Sequence, residues 1–213
     1  MNKIITIGRE FGSGGRELGK RLAELLDIAY YDKEIIEEIA KRTQLAESYV
    51  QQIVEHHTGV FFPITIGRSM HTVSNDYIMK QYAAVYAEQT NVLREMAERS
   101  DCVIVGRCAD HILKDYRPVR IFVYADEASK LRRCRDKAND HDDMSDSDLL
   151  KIIRKIDKNR AKYYRHYTEK VWGERTNYDI CINTSNMSVK TAAEALAHLL
   201  QYNKNNPKEE TTP

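Results

Sequence analysis

The chain lacks the features that would assign it to a membrane-spanning or a metal-stabilised class. Within its 213 residues no apolar run approaches the roughly 20 residues that a membrane-spanning helix needs. Its four cysteines form no Cys-x-x-Cys pair and no spacing with histidine that is typical of a zinc site. We therefore expect reduced thiols in the protein core, at Cys102, Cys108, Cys134 and Cys181.

An excess of charge of either sign is also absent. Lysine and arginine number 33 and the acidic residues 32, so nothing drives general binding to nucleic acid or to a membrane surface, and any anion site must be local. The first apolar run, residues 4–7, is interrupted by Gly8, Arg9 and Glu10, which is unlike a signal peptide. We expect a cytoplasmic protein without nucleic-acid or membrane partners, and the sequence leaves its oligomeric state open.

Glycine is scarce but concentrated. Five of the nine glycines lie in "TIGREFGSGGRELGKRLAELL", residues 6–26. The β-branched stretch 3–7 before them predicts a buried strand, and four leucines after them recur at helical spacing. A strand, a glycine-rich turn and a helix are typical of a phosphate site, because the first N–H groups of a helix lack partners and its dipole favours an anion. The predicted nucleotide-phosphate loop contains Gly12, Ser13, Gly14, Gly15, Arg16 and Glu17.

This loop lacks the lysine of the motif GxxxxGK[ST]. If Gly14 is the second glycine, Gly15 takes the lysine position; if Gly15 is the second glycine, Arg16 takes it. In both alignments Arg16 is the nearest cation, and no serine or threonine stands where Mg²⁺ is usually held, so the Mg²⁺ ligands are left open. A glycine turn without a ligand remains the alternative. A dinucleotide fingerprint is weaker, since Glu17 replaces its last glycine, although Asp32 ends the second strand where a ribose-binding acid would lie.

Short apolar strands alternate with helical patterns along the rest of the chain. Strands are predicted at 28–32, 102–106, 119–124 and 178–183, and helices at 33–42, 78–98, 126–137, after Ser145 and after Ser188. Residues 57–77 mix glycine, proline and aromatic residues and predict a long loop that includes His57, next to His56. The alternation predicts an α/β fold in which helices cover both faces of a parallel sheet.

Three further clusters follow the glycine loop in order. "VIVGR" (103–107) ends a buried strand, "RIFVYADEASKLRRCRD" (120–136) joins a strand to an arginine-rich helix, and "IIRKIDKNRAKYYRHY" (152–167) places Arg154, Asp157 and Arg160 on one helix face. With "GREFGSGGRELG" and "NYDICINTS" (177–185), these segments resemble the cytidylate kinase-like family of P-loop kinases. The resemblance extends from Lys3 to about Leu200, and the lysine-less loop is its most specific part.

The resemblance implies a three-layer α/β/α P-loop kinase fold around a five-stranded parallel sheet. It implies one kinase-like domain over residues 1–202, with a core formed by 1–32, 101–137 and 168–202. Residues 33–100 would be a helical acceptor-binding insert, residues 138–167 a lid over ATP, and residues 203–213 a flexible polar tail.

The resemblance also implies roles for single residues. Arg107 would contact the acceptor phosphate, together with Asp32 and Lys33 at the acceptor site. Arg154 and Arg160 would surround the transferring phosphoryl group with Arg16, and Asp157 would bind the acceptor or orient these arginines. ATP would also contact Arg132, Thr184 and Ser185.

The implied activity is ATP- and Mg²⁺-dependent phosphoryl transfer to a nucleoside monophosphate, with CMP or dCMP as the leading candidate acceptor. Arginines suit this chemistry because they stay charged and bind phosphate in a bidentate manner. The chain departs from the cytidylate kinase pattern at Lys33, Glu38 and Cys108, which weakens the assignment of cytidine. A nucleotide-binding relic without activity and a kinase of another small metabolite remain alternatives.

Overall fold

A computed structural model describes residues 2–55, 74–137 and 144–205. Five parallel strands form one sheet in the order β2-β3-β1-β4-β5. The strands are β1 (Ile4–Arg9), β2 (Ala29–Tyr31), β3 (Cys102–Val105), β4 (Val119–Tyr124) and β5 (Ile180–Asn183). The predicted α/β fold with a five-stranded parallel sheet is confirmed.

Helices cover both faces of this sheet, which explains why its central strands carry apolar side chains on both faces. On one face, α1 (Gly15–Leu26) and α8 (Val189–Asn205) pack on side chains such as Ile5, Ile7 and Val103. On the other face lie α2 (Lys33–Thr43), α3 (Glu47–Glu55), α4 (Ser74–Arg99) and the short α5 (Ala109–Ile112). Two further helices, α6 (Glu127–Lys137) and α7 (Asp146–Thr168), lie between β4 and β5 in the chain.

The predicted helix caps after the polar segments are present. The Ser145 hydroxyl accepts a hydrogen bond from the Asp148 backbone N–H at 3.1 Å at the start of α7. Ser188 does the same for the Thr191 N–H at 3.0 Å at the start of α8. The aromatic side of α7 packs as expected, with Tyr163 and Tyr164 buried in the core.

Some boundaries differ from those predicted. Strand β1 continues to Arg9, because its backbone stays paired with β4 beyond the glycine at position 8. Helix α4 begins at Ser74, so the loop predicted for 57–77 is wrong at its last four residues, where polar residues precede the apolar helical face. The rest of that loop, with His56 and His57, lies outside the described residues, as do the first residues of the predicted lid, 138–143, and most of the predicted tail. Cys181 is exposed on edge strand β5 and not in the core, whereas Cys102 and Cys108 are buried.

Candidate functional site

The glycine loop connects β1 to α1 at the carboxyl end of the sheet. Gly14 precedes the helix in a left-handed conformation, with φ of 83°, and α1 begins at Gly15. The Ser13 hydroxyl donates to the Glu10 carbonyl at 2.8 Å and accepts from the Gly15 N–H at 3.3 Å. The loop is therefore a compact turn whose helix N-terminus carries the partial positive charge that attracts phosphate.

Two glycines of the loop are required by their surroundings. A Cβ at Gly14 would lie 2.6 Å from Cγ2 of Val189, and one at Gly12 would lie 3.0 Å from the Lys130 carbonyl oxygen. Both residues also have positive φ angles, which side chains rarely adopt. The close packing of α6 and α8 against the loop thus explains its glycine content.

The loop is held from behind by β5 and α6. The fully buried Thr184 hydroxyl donates to the Ser13 carbonyl at 2.7 Å. Arg133 donates to the Thr184 carbonyl and, at 3.4 Å, to that of Gly12. Thr184 was expected beside the nucleotide, and the structure places its side chain underneath the loop, where it fixes the loop conformation.

A buried ionic network joins the loop to α7. Asp157 accepts from the Phe11 backbone N–H at 2.7 Å and from Lys130 Nζ at 3.0 Å, and Lys130 also lies 2.7 Å from a Glu10 carboxylate oxygen. Burial by itself would lower the pKa of Lys130, but pairing with Glu10 and Asp157 outweighs it and raises the pKa. Burial raises the pKa of Asp157 in spite of these partners. Helix α7 is thus attached to the loop through the Asp157 carboxylate, which accepts from both Phe11 and Lys130.

Three arginines line a cavity of about 50 Å³ at this end of the sheet. They come from three elements: Arg9 ends β1, Arg107 follows β3, and Arg160 projects from α7. Arg160 donates to the Arg9 carbonyl at 3.3 Å and lies over the ring of Phe11, 5.6 Å from its centroid. The structure therefore brings Arg107 and Arg160, the residues expected around the acceptor and transferring phosphates, into one cavity.

An acid lies in the wall of the same cavity. Asp110 accepts from the Tyr164 hydroxyl at 2.6 Å. Burial raises the pKa of Asp110, and the hydrogen bond from Tyr164 opposes this shift only in part. Burial also raises the pKa of the Cys108 thiol well above its usual value, so this residue is neutral.

Asp32 is buried at the end of β2 between two arginines. Its Oδ2 lies 2.6 Å from Nε of Arg16, and its Oδ1 lies 3.8 Å from Nη2 of Arg9 and makes no hydrogen bond to any described residue. Arg16, Asp32 and Lys33 line a groove of about 320 Å³ beside the start of α1. The predicted acceptor residues Asp32 and Lys33 are thus adjacent to the loop, with Lys33 exposed.

Three other predicted residues lie at the edge of the site. Arg154 forms a bidentate ion pair with Glu127 of α6 at 2.6 and 2.7 Å and is largely exposed, so it does not point to the loop as Asp157 does. Arg132 is exposed and donates to the Ser129 hydroxyl at 3.3 Å. Ser185 accepts from the Asp126 N–H at 2.8 Å, next to the β5–α8 connection.

The structure adds residues that the sequence did not single out. Lys130 pairs with Glu10 and Arg133 donates to the Gly12 carbonyl, so both contact the loop region. Their spacing of three residues on α6 was a usable signal, since it places both on one helix face.

Within the described ranges, no group of three or more His, Cys, Asp or Glu side chains is arranged to hold a metal ion. This finding is compatible with Mg²⁺, which proteins usually bind through one or two carboxylates together with substrate phosphates. No helix of the described part of the chain is long and apolar enough to cross a membrane.

Solved structures share this fold. An uncharacterized protein from Eubacterium ventriosum is 29% identical over 96% of this chain and 99% of its own, with a TM-score of 0.67. Shikimate kinase from Acinetobacter baumannii, in complex with shikimate, is 19% identical over 97% and 96% of the two chains, with a TM-score of 0.52. Shikimate kinase from Bacteroides thetaiotaomicron is 18% identical over 94% and 99%, with a TM-score of 0.55.

Curated proteins gave no match to this sequence. A family model does match, and it covers residues 4–186, from the first strand through the glycine loop, the arginine-lined cavity and α7 to Thr184 and Ser185. Since this match spans most of the sequence, the chain belongs to the cytidylate kinase-like family.

Proposed function

We propose that this protein transfers the γ-phosphoryl group of ATP to a nucleoside monophosphate, with CMP and dCMP as the leading candidates for the acceptor. The observation that carries the proposal is that Arg107 and Arg160 line one cavity, together with Gly8 and Arg9 of the strand that leads into the glycine loop. Phosphoryl transfer needs positioned reactants and positive charge around the phosphoryl oxygens more than covalent chemistry. Arginines from a fixed strand end and from a lid helix supply that charge from two sides.

Each half of the site has a separate task. The start of α1 would bind the nucleotide phosphates through its N–H groups, and Arg16 at the second helical position would add a cation. Arg107, which is buried, would bind the acceptor phosphate at a fixed place. Arg160 and Arg154 lie on α7, so closure of this helix region would bring their charge to the transferred group and exclude water.

Asp32 is the acid at the loop that best fits a role toward Mg²⁺. Its Oδ1 makes no hydrogen bond to a described residue, whereas Glu10 and Asp157 both pair with Lys130. Mg²⁺ bound to ATP would neutralise charge on the β- and γ-phosphates. Asp32 would hold it directly or through water, with Arg16 fixing the orientation of the carboxylate.

A second candidate acceptor is another small phosphate-accepting metabolite. The specific support is Glu38, which stands where a cytidylate kinase has an arginine and which here pairs with Arg42 at 2.8 Å. The described cations beside Asp32 include Arg9 and Arg16, which face its carboxylate, and Lys33, which lines the same groove. Shikimate is a reasonable test compound, because two solved structures with this fold are shikimate kinases.

A panel assay tests the proposal. The protein is incubated with ATP, Mg²⁺ and one of CMP, dCMP, UMP, AMP or shikimate, and ADP release is followed. Turnover with CMP or dCMP above that with the other compounds is expected. Turnover with shikimate alone would favour the second candidate, and ATP binding without turnover on any acceptor would favour a non-catalytic relic.

A matched pair of variants controls for general effects on α7. Arg160→Met removes a cavity arginine, whereas Arg165→Met removes an exposed arginine of the same helix. We expect turnover to fall about 100-fold or more in the first variant, as when a single charged transition-state donor is removed, and to stay unchanged in the second. Equal activity of both variants would contradict the role of the cavity.

A further inference from the structure

The glycine loop differs from the usual motif at two positions that complement each other. In the alignment that makes Gly14 the second glycine of GxxxxGK[ST], the first glycine position is occupied by Arg9 and the lysine position by Gly15. A cation thus stands where the motif has glycine, and glycine stands where the motif has its cation.

These two positions share one volume in the structure. A Cβ at Gly15 would lie 2.5 Å from Cβ of Arg9 and 3.1 Å from its Cγ. Separations below about 3 Å are not tolerated between carbon atoms that are not bonded, so no side chain fits at position 15 while Arg9 is present. The stem of Arg9 fills the space into which a lysine at position 15 would begin.

The Arg9 side chain continues from there into the candidate site. It is only 10% exposed, and its Nη2 lies 3.8 Å from Oδ1 of Asp32. Its Nη1 lies against Gly106, where any Cβ would overlap with it. The guanidinium therefore crosses the carboxyl end of β3 and lines the cavity that Arg107 and Arg160 also line.

Arg16 occupies a different place. Its side chain is 54% exposed and pairs with the opposite oxygen of Asp32 at 2.6 Å. Asp32 thus separates an inner arginine, on the strand, from an outer arginine, on the helix. The inner one is the cation enclosed by the loop and the ends of the strands, where charge acts on phosphate with less screening by water.

We propose that Arg9 binds the nucleotide phosphates in place of the missing loop lysine, with Gly15 and Gly106 as the two glycines that make room for it. The inference rests on the proposed function, since it assumes that the loop binds ATP. The planar guanidinium can bind two phosphate oxygens at once, and its attachment to a paired strand holds it in place. Arg16 then adds charge from the solvent side.

Equilibrium binding of ATP, ADP and adenosine, without acceptor, tests the role of Arg9. In Arg9→Met we expect ATP and ADP to bind about 10-fold or more weakly, the effect of one lost charged hydrogen bond, and adenosine to bind as in the wild type. Arg120→Met is the matched control, because Arg120 pairs at 2.7 Å with Asp179, the residue before β5, and the binding of all three ligands should not change in this variant. Unchanged ATP binding in a folded Arg9→Met protein, or an equal loss for adenosine, would overturn the proposal.

Exchange of the two positions provides an independent test that does not depend on Arg9→Met being folded. Gly15→Lys alone should lower the melting temperature, because it collides with Arg9. The double variant Arg9→Gly with Gly15→Lys restores the motif and should recover the melting temperature and the preference for ATP over adenosine. If the double variant has the same melting temperature and the same preference for ATP over adenosine as Gly15→Lys, the two positions do not share a volume and a function.

Failure of this inference differs from failure of the proposed function. If the wild type binds ATP but phosphorylates no acceptor, the proposed function fails while the binding pattern of the variants still decides the role of Arg9. If the wild type phosphorylates CMP and Arg9→Met retains ATP binding, only the role of Arg9 is overturned.

Discussion

The carboxylate of Asp157 accepts a hydrogen bond from the backbone N–H of Phe11 at 2.7 Å. This contact joins α7 to the glycine loop across 146 residues of sequence, and Lys130 links Asp157 to Glu10. The position of the helix that carries Arg160 is therefore coupled to the conformation of the loop.

Lys130→Met should destabilise the protein markedly. The substitution leaves Glu10 and Asp157 close together without their shared cation, and their side chains are only 25% and 15% exposed. Allowing for this partial exposure, we expect a loss of about 2 kcal/mol in the free energy of unfolding, measured by urea denaturation. Lys137→Met is the control, since Lys137 is 67% exposed and 3.5 Å from Glu17, and it should change stability little. Equal stability of the two variants would contradict the network.

Thr184→Val should weaken the support of the glycine loop. The change keeps the shape of the side chain but removes the donor to the Ser13 carbonyl, which leaves a buried acceptor with one partner fewer. We expect a loss of about 1 to 2 kcal/mol in the free energy of unfolding, and weaker ATP binding because the loop is less well fixed. Thr191→Val, on the exposed start of α8, should do neither. ATP binding unchanged in Thr184→Val would separate loop support from nucleotide affinity.

Arg154→Met should separate catalysis from stability. The Arg154–Glu127 pair is exposed to water, so its loss should leave the urea midpoint almost unchanged. If Arg154 swings to the transferring phosphoryl group when the lid closes, turnover should fall about 100-fold while ATP binding is retained. Glu127→Gln, which removes only the partner, should keep its activity. Full activity of Arg154→Met would remove this residue from the catalytic set.

Asp110→Asn should change how stability depends on pH. Burial raises the pKa of Asp110, so its ionised form is less favourable in the folded protein than in the unfolded chain. Asp110 therefore makes its full contribution to the free energy of unfolding below the ordinary pKa of an aspartate, about 3.9. This contribution is lost as the pH rises through the raised pKa of the folded protein. Asparagine can still accept from Tyr164 and does not titrate. We expect the melting temperature of Asp110→Asn to rise relative to that of the wild type as the pH rises from about 4 to 7. A difference between the two melting temperatures that does not change with pH would contradict the burial effect.

Much of the candidate site could be predicted from its sequence. The leucine period after the glycines predicted α1, and the polar segment before Asp146 predicted the cap at Ser145, because both depend on neighbours a few residues away. The family resemblance led to Arg107 and Arg160, which the structure brings into one cavity. Local periodicity did not identify Lys130 or Arg133, since a charged helical side chain looks the same whether it faces water or a buried carbonyl.

The sequence by itself determined the alternation of strands and helices, the parallel sheet and the position of the glycine loop, since the periods of 2 and 3.6 residues decide which face of each element is apolar. Only the tertiary structure decided which charges meet. Arg9 reaches Asp32 and Gly106, and Asp157 reaches Phe11, through contacts between residues far apart in the chain. Long side chains have several rotatable bonds, so their partners depend on which surfaces pack together and not on local spacing.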